Sequence, residues 1–248
     1  MGLTGAGGGI LAVPALVLVL HWSVAQAGPV ALIAMALAAA IGAIDGLRRG
    51  QVRYRAAAFM AAIGMMFAPV GLIAALHVPE RALLAAFAVT LLVVAARMLR
   101  GARDAGEPPP NAVCHVDAAT GRLRWTPRSA SVLAAVGAAA GFLSGLLGVG
   151  GGFVIVPALR RFTDITMQGI VATSLALIAL VSTGTVVMAA LHGRPMPLAV
   201  AAPFAAGAAI GMAGGRLVAG RLAPAQLQRA FALLTLAVGA ALVVRAVG

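Results

Sequence analysis

The chain has 248 residues, of which 62% are hydrophobic and 10% are charged, whereas a soluble domain has about 45–50% and about 25%. No water-soluble fold hides this much apolar surface, so the composition indicates a membrane protein. A net charge of +12 would suggest a nucleic-acid partner for a soluble protein. Here every basic residue is an arginine, and the arginines lie between apolar stretches as the positive-inside rule expects. We therefore expect the lipid bilayer as partner, and no nucleic acid.

Seven apolar stretches have close to the ~20 residues that a helix needs to cross a bilayer. They are residues 28–47, 56–76, 82–98, 130–147, 170–191, 198–219 and 227–244. Stretches such as 56–76 are apolar on every face, which excludes the alternating strands of a membrane barrel. Two shorter stretches, residues 10–20 and 153–159, each follow a glycine cluster and contain a proline, so they are predicted to be half-helices.

The chain repeats itself at a constant offset of 143 residues. Gly-Ala-Gly-Gly-Gly at 5–9, followed by Pro14, corresponds to Gly-Val-Gly-Gly-Gly at 148–152, followed by Pro157 (148 − 5 = 143). Further glycine pairs keep this register, namely Gly50 with Gly193, Gly64 with Gly207 and Gly71 with Gly214. The pattern predicts a membrane repeat over residues 1–100, a polar linker over 101–129 and a second membrane repeat over 130–248.

The two repeats differ at their beginnings. The second has the apolar stretch 130–147 before its glycine cluster, whereas Met1 corresponds to Ser144 in this register. The first repeat, as given, therefore lacks its first helix. We expect an apolar segment of about 15–20 residues upstream of Met1, the length of a membrane helix.

Arginine placement indicates how the repeats are oriented. If residues 130–161 enter the membrane and return, 10 + 5 = 15 of the 18 arginines lie on the cytoplasmic side; if they cross once, 10 + 2 = 12 do. The first arrangement fits the positive-inside rule better. It predicts an all-α polytopic membrane protein with two inverted repeats, each with a Gly-rich broken or re-entrant helix plus three transmembrane helices. We expect it in a bacterial inner membrane with a cytoplasmic linker.

The glycine clusters do not match nucleotide-binding motifs. A dinucleotide fingerprint needs a glycine where Ile10 and Phe153 stand, and a P-loop needs a lysine, which the chain lacks. Glycines do allow a helix to break inside the membrane, and the half-helix that follows presents free N–H groups and a positive dipole end. Two such ends predict an anion site between Gly7–Gly9 and Gly150–Gly152. The alternative is close helix packing, as expected at Gly42/Gly46 and Gly207/Gly211.

Two hydroxyl residues near the start of a span are further candidates for this site. Thr173 and Ser174 could each donate a hydrogen bond to an anion, whereas the first repeat has Val30 and Ala31 there. The alternative is that each hydroxyl bonds the carbonyl four residues before it.

Residues 141–159, Gly-Phe-Leu-Ser-Gly-Leu-Leu-Gly-Val-Gly-Gly-Gly-Phe-Val-Ile-Val-Pro-Ala-Leu, with Ala-Thr-Ser-Leu at 172–175, resemble the sulfite exporter TauE/SafE family, also called the 4-toluene sulfonate uptake permease family. The resemblance extends over both repeats and implies a carrier for sulfur-containing anions such as sulfite or organosulfonates. It implies these site residues: Gly7, Gly8, Gly9, Pro14, Gly150, Gly151, Gly152, Pro157, Thr173 and Ser174. The first repeat departs from the pattern because it lacks the leading helix and the Thr-Ser pair.

Other function classes fit the sequence less well. An intramembrane serine protease needs Gly-x-Ser-Gly, but Gly141 lies three residues before Ser144, so we expect no enzyme. A passive anion channel or a non-transporting structural membrane protein remains the alternative. The single cysteine, Cys114, excludes an intramolecular disulfide, and His115 with Asp117 fits a solvated loop better than a metal site. We expect no cofactor.

A buried carboxylate would indicate coupling to protons. The only candidate is Asp45, which lies near the end of its span and is followed by Arg48 and Arg49. An ion pair at the membrane boundary is therefore expected for Asp45, and a proton as the coupling ion stays open.

The inverted arrangement predicts that the two ends of the second repeat lie on opposite sides of the membrane. Reporter fusions at Gly106 and after Gly248 are expected to show a cytoplasmic linker and a periplasmic C-terminus, because three crossings and a returning hairpin separate them. Fusions that report the same side would contradict the returning hairpin.

Overall fold

The computed structural model describes residues 7–101, 113–115, 123–191, 193, 197–219 and 224–247. Within these ranges every regular element is an α-helix, apart from one isolated bridge between Cys114 and Thr163. The helices are α1 (Gly7–Ile10), α2 (Ala12–Leu20), α3 (Val24–Arg48), α4 (Tyr54–His77), α5 (Glu80–Gly101), α6 (Pro127–Leu147), α7 (Gly152–Phe162), α8 (Met167–Leu191), α9 (Leu198–Ala219) and α10 (Pro224–Val247).

The helices fall where hydropathy predicts them. Each of the seven long apolar stretches lies within one helix, and the two short stretches lie in α1–α2 and α7. Among the described residues, α3, α4, α6, α8 and the Leu198–Gly215 part of α9 are long and apolar enough to cross a membrane. The prediction of a polytopic helical membrane protein is confirmed at this level.

Local sequence signals set where two of the spans begin. Ser23 precedes α3, and its side chain and that of Gln26 bond each other's backbone amides in a capping box. Thr126 precedes α6 and forms the same reciprocal pair with Ser129, while Pro127 occupies the first helical position, where its missing N–H costs nothing. Both caps satisfy amides that a helix start leaves without partners.

The start of α6 and the end of α7 lie at the same end of the helix bundle. The amide of Cys114 donates to the carbonyl of Phe162 at 2.9 Å, and its thiol donates to the carbonyl of Ser129 at 4.0 Å. Burial raises the pKa of this thiol, and the Asp164 carboxylate raises it further, so Cys114 stays protonated as a weak donor. Helices α6 and α7 therefore form a hairpin whose two ends meet around Cys114.

The loop between α3 and α4 lies beside the start of α8. The backbone amide of Arg53 donates to the hydroxyl of Thr173 at 3.0 Å, and the side-chain amide of Gln51 donates to that of Gln168 at 3.3 Å. The loop is thereby fixed against the first turns of α8.

Glycines allow α4 and α6 to pack with their backbones in contact. A Cβ at Gly141 would overlap the carbonyl of Gly64, and one at Gly145 would overlap the carbonyl of Ala68. A Cβ at Gly137 would lie 2.5 Å from the carbonyl oxygen of Met60. Small residues at four-residue intervals on α6 thus form the closest helix contact among the described residues.

The glycine packing predicted elsewhere is found at one place and not at another. At Gly46 a Cβ would lie 2.8 Å from the side chain of Ala172, so this glycine does allow α3 to approach α8. At Gly207 and Gly211 on α9, the described residues place no atom within 4 Å of a Cβ. The prediction of packing there is wrong for the described residues, because no helix of that part of the chain covers this face of α9.

A methyl group at Gly141 is expected to destabilise the protein. Gly141→Ala inserts Cβ against the backbone of Gly64, which has no side chain that can move aside, and overpacking of this kind costs about 1–3 kcal/mol. The exposed Ala135→Val on the same helix adds more volume without touching α4, so it should leave stability unchanged. The midpoint of thermal unfolding of the purified protein measures both. Equal midpoints for the two variants would show that the α4–α6 contact is not close.

Candidate functional site

A sharp break in the backbone separates α6 from α7. Gly148 ends α6 with φ of 69°, and Gly150 and Gly151 follow with φ of 65° and 68°. These left-handed conformations favour glycine, because a side chain there is strained. The chain reverses within residues 148–151, and α7 begins with Gly152. The amides of Val154 and Ile155 donate to the Gly151 carbonyl, whereas those of Gly152 and Phe153 have no acceptor earlier in their helix, so they can donate to a ligand in the break.

The break is packed between the middle parts of two long helices. A Cβ on Gly150 would lie 2.7 Å from Cε of Met35, 2.8 Å from Oγ of Ser182 and 3.2 Å from Cγ2 of Ile178. Met35 is the twelfth of the 25 residues of α3, and Ser182 is the sixteenth of the 25 residues of α8. The positive end of α7 therefore lies deep between two spans, away from their ends.

Two hydroxyls at or near this break are buried and lack a hydrogen-bond partner. Ser182, which faces Gly150, and Ser144, one turn before the end of α6, are both 0% exposed. Within the described ranges neither oxygen has a protein partner. A buried hydroxyl without a partner costs about 1–3 kcal/mol on mutational scales, and native proteins seldom retain one without a reason. A ligand held at the break would supply the acceptor that Ser182 lacks.

Sequence reasoning missed Ser182. Its equivalent in the first repeat is Ala39 (182 − 143 = 39), so the repeat gives no matching hydroxyl to draw attention to it. The sequence does show a lone serine near the middle of a span. Because a serine in a helix usually bonds a carbonyl of its own helix, that position alone did not indicate a ligand contact.

The structure brings the two predicted glycine clusters together. Helix α1, which begins with Gly7, Gly8 and Gly9, packs against α7, which begins with Gly152. The two prolines lie inside helices and not at the breaks: Pro14 is buried in α2 and Pro157 lies within α7.

Thr173 and Ser174 lie away from the break. The Ser174 hydroxyl donates to the Ile170 carbonyl at 2.7 Å, as the alternative predicted, whereas the Thr173 hydroxyl accepts from the Arg53 amide at 3.0 Å, which neither reading predicted. Thr173 precedes Ser182 by nine residues (182 − 173 = 9), which is about 13.5 Å along α8 and roughly half a turn around it. The structure therefore places Thr173 and Ser182 on opposite faces of α8.

The remaining polar candidates belong to the loop regions. Asp45 pairs with Arg49 at 2.9 Å, which confirms the expected boundary ion pair. His115 lies 3.4 Å from Asp164, in the seam around Cys114, while Asp117 falls outside the described residues. No group of three or more His, Cys, Asp or Glu side chains gathers within the described parts of the chain.

Comparison with known proteins gives the family of this membrane chain. Residues 1–242 match the sulfite exporter TauE/SafE family. The chain belongs to the TauE/SafE family. Two relatives from Xylella fastidiosa, strains Temecula1 and 9a5c, are each named a probable membrane transporter protein and are 32% and 30% identical over 245 residues. Each match covers 96% of this chain and 87% of the relative. No solved structure matches the chain.

The TauE/SafE family is a family of membrane transporters. The family assignment does not identify which residues bind a substrate, so the roles of the residues at the break are argued from the geometry. That geometry consists of a positive helix end, left-handed glycines and the buried hydroxyl of Ser182.

A comparison of Gly151→Ala with Gly50→Ala should separate the effect of steric crowding at the break from the effect of backbone strain. A Cβ at Gly151 would lie 2.5 Å from the carbonyl oxygen of Ala140, whereas Gly50 has nearly the same φ, 66°, and no atom within 4 Å. Both substitutions carry a left-handed strain of about 1–2 kcal/mol. Only Gly151→Ala adds overpacking of about 1–3 kcal/mol.

Thermal unfolding and transport assays on the two variants provide the measurement. We expect Gly151→Ala to unfold at a lower temperature than Gly50→Ala and to lose transport, with Gly50→Ala remaining active. Identical behaviour of the two variants would mean that the break tolerates a side chain and holds no closely fitted ligand.

Proposed function

We propose that the chain is a secondary transporter that moves a small anion across the bacterial inner membrane by alternating access. The sulfur-containing anions associated with the family, sulfite or an organosulfonate, are the proposed substrates. One observation carries the proposal: the buried, partnerless hydroxyl of Ser182 faces the glycine break at the start of α7. A hydroxyl donor and a positive helix end converge there, and an anion satisfies both.

Electrostatics favours this location for an anion. The N-terminus of a helix carries about +0.5 of an elementary charge and several free N–H donors. No arginine stands near the middle of any of the seven apolar stretches, and one there would cost about 2.5–3.5 kcal/mol on insertion scales. The end of α7 supplies positive potential without that cost. The anion is therefore proposed to bind the amides of Gly151, Gly152 and Phe153, with Ser182 as an additional donor.

We further propose that the two repeats are inverted: the helix pairing supports a twofold relation between them, and the arginine counts support its inverted sense. The offset of 143 residues relates α2, α3, α4 and α5 to α7, α8, α9 and α10. Under that relation the contact of α3 with α9 is the counterpart of α4 with α8, and α2 with α3 is the counterpart of α7 with α8. The extensive pairs α3–α8 and α5–α10 each join two equivalent helices, as a pseudo-twofold axis between the repeats allows.

The proposed site is asymmetric even though the repeats are related. Ser182 and Thr173 of the second repeat correspond to Ala39 and Val30 of the first, so the second repeat supplies the hydroxyls. We propose that α1, with Gly7–Gly9, forms the opposite wall and that rocking of one repeat against the other opens the break to alternate sides. Thr173, fixed to the Arg53 amide near the start of α8, would then act at the entrance and not at the binding point.

Removing the Ser182 hydroxyl should weaken substrate binding. Ser182→Ala deletes one donor to a charged ligand, which is typically worth about 1.5–3 kcal/mol, or roughly ten- to a hundredfold in affinity. Thr173→Val keeps the shape of Thr173 and should change affinity less, because its hydroxyl is occupied on the other face of α8. Competition by sulfite and small sulfonates against radiolabelled sulfite, in proteoliposomes, measures both affinities.

Thr185→Val is the matched control. Thr185 is buried on the same helix, and its hydroxyl donates to the carbonyl of Val181 at 2.7 Å, so its loss should leave affinity unchanged. A larger effect of Thr173→Val than of Ser182→Ala would move the site to the Arg53 end of α8. Downhill flux without counterflow would support a channel instead of a carrier.

A further inference from the structure

Ser144 is a second buried hydroxyl beside the break, and the proposed function gives it no role. Its side chain is 0% exposed, and its oxygen has no partner among the described residues. A hydroxyl in a membrane helix usually donates to the carbonyl four residues before it. Hydroxyls that do so in the described helices include those of Thr90, Ser174, Thr185 and Thr235. Ser144 and Ser182 make no such bond, so each has a hydroxyl proton without an acceptor.

The position of Ser144 on α6 places it beside the break. Ala140 and Gly148 lie one turn before and one turn after Ser144, on the same face of the helix. Ala140 contacts the far end of the break, since a Cβ on Gly151 would lie 2.8 Å from Cβ of Ala140. Gly148 is itself the residue that ends α6 and starts the break. Ser144 therefore lies alongside residues 148–151.

Ser182 approaches the same short segment from another helix. Its Oγ would lie 2.8 Å from a Cβ on Gly150, so one partnerless hydroxyl flanks the break from α6 and another from α8. The start of α7 adds the amides of Gly152 and Phe153, which have no acceptor in their own helix. Buried hydroxyls without partners are rare in native proteins. Two of them beside one break, together with free amides, indicate a single ligand that accepts from all of these groups.

The donors around the break are all uncharged. In the parts of the chain that the structure describes, the buried polar side chains are serines and threonines, together with the thiol of Cys114. The start of α7 contributes only about +0.5 of an elementary charge. The cost of taking an ion out of water grows with the square of its charge. This donor set therefore offsets the desolvation of a singly charged anion far better than that of a doubly charged one.

We propose that Ser144 and Ser182 are paired ligands of the transported anion, and that their uncharged site selects a singly charged oxoanion such as a sulfonate or hydrogen sulfite. The inference rests on the proposed function, because it adds a ligand residue and a charge preference to the same site. A sulfonate has several oxygens on one sulfur, so the two hydroxyls and the amides of α7 can each bond a different oxygen. The second charge of sulfate has no cation beside it there.

Stabilisation of the purified protein by an added anion tests the role of Ser144. Methanesulfonate is the singly charged probe, and the rise of the unfolding midpoint with its concentration gives the apparent affinity. Ser144→Ala should weaken this affinity roughly ten- to a hundredfold, as expected for a lost hydrogen bond to a charged ligand. Without anion, Ser144→Ala should unfold at the same or a higher temperature, because it removes a buried polar group that has no partner. A purely structural role of Ser144 does not produce this combination.

Two further serine variants give the comparison. Ser182→Ala should weaken methanesulfonate binding by a similar factor, and the double variant should bind more weakly than either single one. Ser131→Ala is the control on α6: Ser131 is exposed near the start of that helix and donates to the carbonyl of Arg128. Its loss should leave the affinity unchanged.

Sulfate tests the charge preference. It also has several oxygens on one sulfur but carries two charges, so at equal ionic strength the wild-type chain should bind it at least about tenfold more weakly than methanesulfonate. Sulfate bound as tightly as methanesulfonate would overturn the preference for a single charge.

The other outcomes separate this inference from the proposed function. Unchanged methanesulfonate affinity in Ser144→Ala, with weaker binding in Ser182→Ala, would remove Ser144 from the site and leave the proposed function standing. If neither methanesulfonate nor sulfite stabilises the wild-type chain, the proposed function itself is wrong, and the role of Ser144 is overturned with it.

Discussion

Backbone groups in a bilayer must find partners inside the protein, because the hydrocarbon offers none. This constraint explains why the described chain is helical, and it also limits where a helix can be interrupted. The break at residues 148–151 is tolerated because α3, α8 and Ala140 of α6 enclose it. An interruption of this kind exposes amides only to the protein interior or to a ligand. The proposed site is therefore a consequence of where broken backbone can be placed.

Hydropathy and glycine placement were sufficient to predict the helices. Apolar stretches of about 20 residues favour membrane helices, and glycines before a proline-containing short stretch favour an interruption of one, so the elements follow from local chemistry. The Asp45–Arg49 pair was equally predictable, since residues four apart share a helix face. Such features depend on neighbours along the chain.

The hydroxyls of the site were not predictable in the same way. Whether Thr173 or Ser182 faces the break depends on the height and rotation of α8 relative to the break, which are set by contacts with neighbouring helices, such as that of Gly46 in α3 with Ala172. The hydrophobicity of α8 is nearly uniform around its axis, so the sequence carries little information about that rotation. The same limitation applies to Gly207 and Gly211, where small-residue spacing identifies a packing face but not whether a helix occupies it.

The hairpin of α6 and α7 has a consequence for how the protein enters the membrane during synthesis. Both ends of the hairpin meet around Cys114, so in the proposed inverted arrangement the segment enters and leaves the membrane on one side. In that arrangement Arg160 and Arg161, in the last turn of α7, would not have to pass through the hydrocarbon, where each would oppose insertion. The translocation machinery would then need only to admit an apolar loop, and the two arginines would hold the end of α7 at the membrane surface.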